Sequence, residues 1–206
     1  MTTFIQPPPM DPWKNGVRAA DVPVAKSSSE VVLFPVISAS LEGWPAPDAK
    51  MVEFALYYAR RGWHVLPCTR KVPLTPRDKD ADGNEIRGTG GFYKATTNED
   101  QIRAWWIKHP YALIGIRAGE TSGVFAIDPD GAEGIANWNA IVAEHGDVPR
   151  THMHRTPGGG QHLVFRWHLD RKVTTSPGKL KGQGIDVRGQ GGYFIAPPSV
   201  GKHGKK

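Results

Sequence analysis

Phe125-Ala126-Ile127-Asp128-Pro129-Asp130-Gly131 is the stretch on which the fold and the chemistry of this chain turn. The apolar run that follows Ser122-Gly123-Val124 reads as a buried strand, and it ends in two carboxylates one residue apart. Residues i and i+2 of a strand point to the same face, so Asp128 and Asp130 are expected to converge on one point. Adjacent anions repel each other unless a cation sits between them, and hard carboxylate oxygens suit magnesium or manganese. Asp-Pro-Asp-Gly also has the composition of a turn closing a strand. The stretch by itself leaves both readings open.

The rest of the composition narrows the classes. At 206 residues, 39% hydrophobic and 22% charged, the chain is long enough for one well-buried domain and too short for two large ones. It has no apolar run long enough to cross a membrane and no basic start followed by an apolar core near its N-terminus. The single cysteine, Cys68, excludes an internal disulfide and a multi-cysteine zinc site. A soluble, cytoplasmic protein is expected. The net charge of +6 is unevenly spread: residues 150–206 carry eleven Lys and Arg against Asp170 and Asp186, a net of +9, while residues 1–149 net −3. A basic third joined to an acidic pair suits a protein that handles phosphates with a metal, and a solvated basic surface has the same composition.

Residues 1–47 hold eight of the 18 prolines together with Ser27-Ser28-Ser29, which reads as a tail or extended arm rather than a packed unit. Asp48 is placed to cap a helix over about residues 49–61, ended by Gly62, and the folded domain, 48–206, is expected to start there. Trp63-His64-Val65-Leu66-Pro67 reads as the first strand and Lys71-Val72-Pro73-Leu74 as a connector. Residues 75–91 read as a flexible polar excursion, because Asp80-Ala81-Asp82-Gly83-Asn84 lacks the closing glutamate of a calcium loop. Asn98 and Gln101 form a capping box for a helix through Lys108, with Ile102, Trp105 and Trp106 on its apolar side. Residues 112–117 and 124–128 are expected as strands joined by a hairpin-like connection, followed by a helix ending near Gly146. Further strands are expected near 151–155, 162–167, 184–187 and 192–196. Helices interleaved with hairpin-connected strands indicate an α/β or α+β sheet domain.

Two later stretches add chemistry. Gly158-Gly159-Gly160-Gln161-His162 places a histidine after a triple glycine, where backbone N–H groups can approach an anion and the imidazole can reach a phosphate oxygen. Gly184-Ile185-Asp186-Val187-Arg188 sets an acid between β-branched residues, costly to bury unless it is paired with a cation such as Arg188 or a metal.

The order of these pieces, paired acids, then Gly-Gly-Xaa-His, then a lone strand acid followed by Gly191-Gly192-Tyr193 and Ala196-Pro197-Pro198-Ser199, resembles the primase/polymerase (prim-pol) domain of phage and plasmid replication proteins. That domain belongs to the archaeo-eukaryotic primase superfamily. The resemblance runs over about residues 50–201 and extends to Arg61-Gly62-Trp63, Lys71-Val72-Pro73, Gly91-Phe92-Tyr93-Lys94-Ala95-Thr96-Thr97, Ile102-Arg103-Ala104-Trp105-Trp106, Ile114-Gly115-Ile116-Arg117 and Arg155-Thr156-Pro157. It implies a catalytic core related to the RNA-recognition-motif fold with an N-terminal α/β subdomain. It further implies that Asp128, Asp130 and Asp186 hold two Mg2+ or Mn2+ ions and that His162 contacts the incoming triphosphate. Template-directed primer synthesis and extension on single-stranded DNA from NTPs or dNTPs would follow. Gly159, Gly160, Arg155, Arg188, Lys179 and Lys181 are further candidates for phosphate or template contacts. Since a helicase module usually follows such a domain, a longer replicase is an expectation too.

The sequence departs from the family pattern at Pro129, where the residue between the two acids is usually aliphatic, and at Gly160, where the wider superfamily often has a small hydroxyl residue. Two other readings remain. His152-Met153-His154 resembles the metal-binding pair of rolling-circle initiators and relaxases, which need a tyrosine nucleophile on a helix; Tyr193 is the only downstream tyrosine. A catalytically silent module that binds single-stranded nucleic acid is the other.

Overall fold

Apolar runs flanked by glycine-rich turns sort the chain into strands, and three helices cover the sheets that those strands build. The computed structural model describes residues 43–149, 151–156, 158–167, 172–180 and 183–199, with backbone only for 177–180. In chain order the elements are α1 (Met51–Arg60), β1 (Val65–Thr69), β2 (Val72–Pro73), a 3-10 turn (Gly91–Lys94), α2 (Glu99–Lys108), β3 (Leu113–Arg117) and β4 (Val124–Pro129). They continue with α3 (Gly131–His145), β5 (His152–Arg155), β6 (Gln161–Arg166), β7 (Ser176–Leu180), β8 (Ile185–Arg188) and β9 (Tyr193–Ala196). One sheet has the order β2-β1-β3-β9 and the other β5-β6-β4-β8-β7, with antiparallel pairing throughout the named strands. The fold is α+β, as the sequence led us to expect.

The core is built mainly on the first sheet. β1 and β3 are near-continuous apolar runs, and Val65, Leu66, Ile114 and Ile116 are wholly buried there. α1 adds Phe54, Leu56 and Tyr58 and α2 adds Ile102 and Trp106, while Val124, Ala126 and Val164 of the second sheet join the same cluster. Trp44 packs its ring against Phe54, Tyr57 and Tyr58, so contacts with the folded unit already begin inside the stretch read as an arm.

Several local expectations change. Residues 112–117 and 124–128 do not form a hairpin: β3 pairs with β1 and β9, β4 pairs with β6 and β8, and only a single bridge, Gly119 to Val124, joins the two segments. The connection is diverted by long-range bonds, with Ala118 N–H donating to Gly192 and Ser122 Oγ accepting from His64 N–H. The cap of α1 is Lys50 rather than Asp48, without a side-chain capping bond. Asn98 caps α2, accepting from Gln101 N–H at 2.9 Å, but Asn98 N–H donates to Thr96 and so the box is one-sided. β7 has no counterpart among the expected strands; Pro177 and Gly178 disguise it in the sequence, and it is an edge strand, where both residues are tolerated. The 75–91 excursion is tied at its neck, Gly91 N–H to Thr75 and Thr75 Oγ1 to Gly91, while Asp80 accepts from the N–H groups of Asp82 and Asn84.

Candidate active site

The second sheet brings the three sequence motifs together. β4 is its central strand, flanked by β6 on one side and β8 on the other. Asp128 and Asp186 are direct cross-strand partners in the register of β4 and β8. Asp130 follows β4 as the N-cap residue of α3, its backbone still extended (φ −88°, ψ 125°) and its side chain not spent on capping. One carboxylate oxygen from each of Asp128, Asp130 and Asp186 lies within 4.8 Å of the others. Pro129 closes β4 in full burial, where its missing N–H coincides with the strand end.

Glycines make this convergence possible by letting backbones touch. A Cβ on Gly160 would lie 2.5 Å from the carbonyl oxygen of Pro129 and 3.1 Å from the Cα of Asp130. The departure at Gly160 therefore has a packing cause: the glycine run seats directly against the backbone of the paired acids. A Cβ on Gly134 would lie 2.3 Å from Gly184 O, and Asp130 N–H donates to that same carbonyl at 2.7 Å, which ties the start of α3 to the approach of β8.

Like charges facing each other across a ladder destabilise it unless a cation answers them. Arg188 answers both: its guanidinium lies 3.0 Å from Asp128 Oδ2 and 2.8 Å from Asp186 Oδ2. Asp128 is 3% exposed. Burial pushes its pKa up, but His162 and Arg188 outweigh burial and leave the carboxyl below its ordinary range. Asp130 shifts the other way, raised by burial and by the charge of Asp128, with Asp186 adding to the rise and Lys71 and Arg188 opposing it.

His162, near the start of β6, lies in the interior beside Asp128, with Nε2 3.2 Å from Asp128 Oδ1. That approach misses hydrogen-bond geometry, and Oδ1 is a buried oxygen without a hydrogen-bond partner. A buried anionic oxygen left in this state is costly. A hard divalent cation fits this donor set: three carboxylates within reach of one point, with one buried oxygen unsatisfied.

The remaining candidates divide. Arg188 belongs to the cluster. Gly159 is exposed with φ 84° at the tip of the β5–β6 connection, and Arg155 is exposed at the end of β5. Lys179 falls in β7 but its side chain, like Lys181 altogether, lies outside the described residues. Sequence reasoning misses the bond between His154 Nε2 and His162 Nδ1 at 2.9 Å, although both residues stand out in the sequence. The signal lies in the hairpin, since the two histidines are paired across β5 and β6. Lys71 also matters more than its place in a connector suggests; its backbone carbonyl accepts from Tyr193 OH, and its charge bears on Asp130. Tyr193, the downstream tyrosine of the rolling-circle reading, lies on β9 rather than on a helix, and His154 is bonded to His162.

An antiparallel sheet thus carries a carboxylate triad that could hold a divalent ion, with an arginine and a histidine against it. The family model for the bifunctional DNA primase/polymerase N-terminal domain matches residues 55–206, and the chain belongs to that family. A search of curated proteins gave no match. Family membership supports a primase/polymerase-type role in nucleotidyl transfer, with DNA and nucleotides as substrates, and among the described residues no helix is long and apolar enough to cross a membrane.

Proposed function

We propose that this chain synthesises primers on single-stranded DNA and extends them, joining NTPs or dNTPs by template-directed nucleotidyl transfer in phage or plasmid replication. The observation that carries the reading is the convergence of Asp128, Asp130 and Asp186 within 4.8 Å on β4, the start of α3 and β8. These acids hold the catalytic ions, two of the Mg2+ or Mn2+ class. When bound, such ions lower the pKa of a primer 3′-hydroxyl and offset charge on the leaving pyrophosphate. Asp128 is kept ionised by Arg188 and His162 and so is ready as a ligand at neutral pH. His162 meets the triphosphate through the acid site, since it is only 6% exposed. Gly159 and Gly160 bring backbone N–H groups near the same anion, and Arg188 balances negative charge brought in with it. Arg155, Lys179 and Lys181 contact template or triphosphate phosphates. Residues 48–206 form the catalytic unit, residues 1–47 an arm footed by Trp44, and a helicase acts beside it in the same longer chain or in trans.

The test is unprimed single-stranded DNA, labelled nucleotides and added magnesium or manganese. Metal-dependent products are expected from the wild type and none from Asp128→Ala, while His162→Ala weakens nucleotide binding more than template binding. Full activity in Asp128→Ala removes the assignment. Equal loss of nucleotide and template affinity in His162→Ala makes that histidine structural.

A further inference from the structure

His154 is half-buried, and its Nε2 has two partners: His162 Nδ1 at 2.9 Å and the backbone carbonyl of Ile195 at 3.2 Å. The second partner decides the polarity of the whole chain of contacts. A carbonyl oxygen only accepts, so a favourable contact requires the proton of His154 to sit on Nε2. The same N–H then points at His162 Nδ1, which must offer its lone pair. When the ring of His162 carries a single N–H, that N–H then falls on Nε2, the nitrogen that lies 3.2 Å from Asp128 Oδ1.

The opposite arrangement is penalised at every step. It sets the lone pair of His154 Nε2 against the Ile195 oxygen. It also puts an N–H on His154 Nδ1, which is buried without a hydrogen-bond partner. On the acid side it turns the lone pair of His162 Nε2 toward a carboxylate. Burial, with His162 and His152 close by, also keeps His154 from taking up a second proton, so the one-proton logic holds for it. The rings meet edge to face, 4.8 Å apart at 88°, with Phe194 packed against both.

We propose that His154, anchored by the Ile195 carbonyl of β9, is a positioning residue that locks His162 as its Nε2–H tautomer and so sets its N–H, rather than a lone pair, on the side of the acid cluster. A donor at that nitrogen matches an anionic acceptor, either Asp128 or a phosphate oxygen, whereas the other tautomer repels both. The anchor comes from the first sheet and the histidine it polarises from the second, so the register of β9 on β3 reaches the site through one side chain. The consequence for turnover rests on the role given to His162 above; the tautomer itself does not.

The experiment is long-range proton–nitrogen correlation NMR on histidine-labelled protein at pH 8, with His162→Asn used to assign the signals. The wild type is expected to show His162 protonated at Nε2. His154→Phe, which keeps a ring but removes the donor, is expected to move His162 toward a mixture of tautomers and to raise the KM for dATP about 10-fold with a smaller change in kcat. His154→Gln, whose amide nitrogen stands near the position of Nε2, should restore both. Wild-type His162 protonated at Nδ1 overturns the proposal without any variant, as does an unchanged tautomer in His154→Phe. If the tautomer shifts while the KM for dATP does not, the lock stands and the triphosphate role of His162 is what fails.

Discussion

The two sheets divide stability from chemistry. In the first, β1 and β3 are buried on both faces and carry no ionisable side chain in contact with the acid cluster; in the second, the central ladder places Asp128 opposite Asp186 and Arg188 across both. A ladder with opposed acids at its centre contributes little to holding a fold together, so the apolar sheet and the helices on it must hold the fold while the polar one is kept for binding. The contrast teaches where a mutation should be felt as loss of structure and where as loss of activity.

Its sharpest test sets one residue from each sheet side by side. Asp186→Ala should abolish nucleotide incorporation, a fall of at least about a thousandfold or ~4 kcal/mol in barrier. Its stability should stay within about 1 kcal/mol, because Arg188 keeps Asp128 as a partner. Ile114→Ala, at a wholly buried position of β3, should do the reverse, losing about 2–5 kcal/mol in urea denaturation with near-normal activity per folded molecule. Two variants that lose activity and stability in the same proportion would erase the division.

A smaller effect comes from the histidines at the junction of the sheets. Burial lowers the pKa of His152, and burial with the neighbouring His162 and His152 lowers that of His154 further. The unfolded chain takes up protons at both positions as pH falls through about 6.5, whereas the native chain resists. Their neutral state therefore stabilises the fold fully above about pH 7, and that stability declines as pH drops below the unfolded value. His154→Gln should make the decline in urea midpoint between pH 7 and 5 shallower than in the wild type; an equal slope would assign it to other groups.

The smallest expected effect concerns the basic third of the chain. Affinity for single-stranded DNA should fall linearly with salt on logarithmic axes, and neutralising Lys179 and Lys181 together should flatten the slope by about 0.7 for each phosphate that then goes without its lysine. Deleting residues 1–42, which carry Lys14, Arg18 and Lys26 against Asp11, Asp21, Glu30 and Glu42, should leave it nearly unchanged. A slope abolished by the deletion and kept in the double lysine variant would move the template to the arm.

Much of the site was legible in the residues themselves. The period of a strand directs Asp128 and Asp130 to one side, and the β-branched neighbours of Asp186 place it on a strand; both are local properties, and the structure has the three acids converging. The helices were legible for the same reason, since an apolar face is read within one or two turns, although the cap of α1 falls on Lys50 and not on Asp48. What local pattern could not supply was the choice of partner. Residues 112–117 and 124–128 have the spacing of a hairpin, but β9, some 80 residues downstream of β3, takes the edge that a hairpin would have used. Nor could the sequence show that Arg188 spans two acids, 2 and 60 residues away, or that Ile195 lies under His154 across 41 residues. A side chain's direction follows from the backbone period of its own segment, whereas the atom it meets depends on which distant strand wins the adjacent place in the sheet. That competition is settled by the burial of the whole core, and only the folded chain contains it.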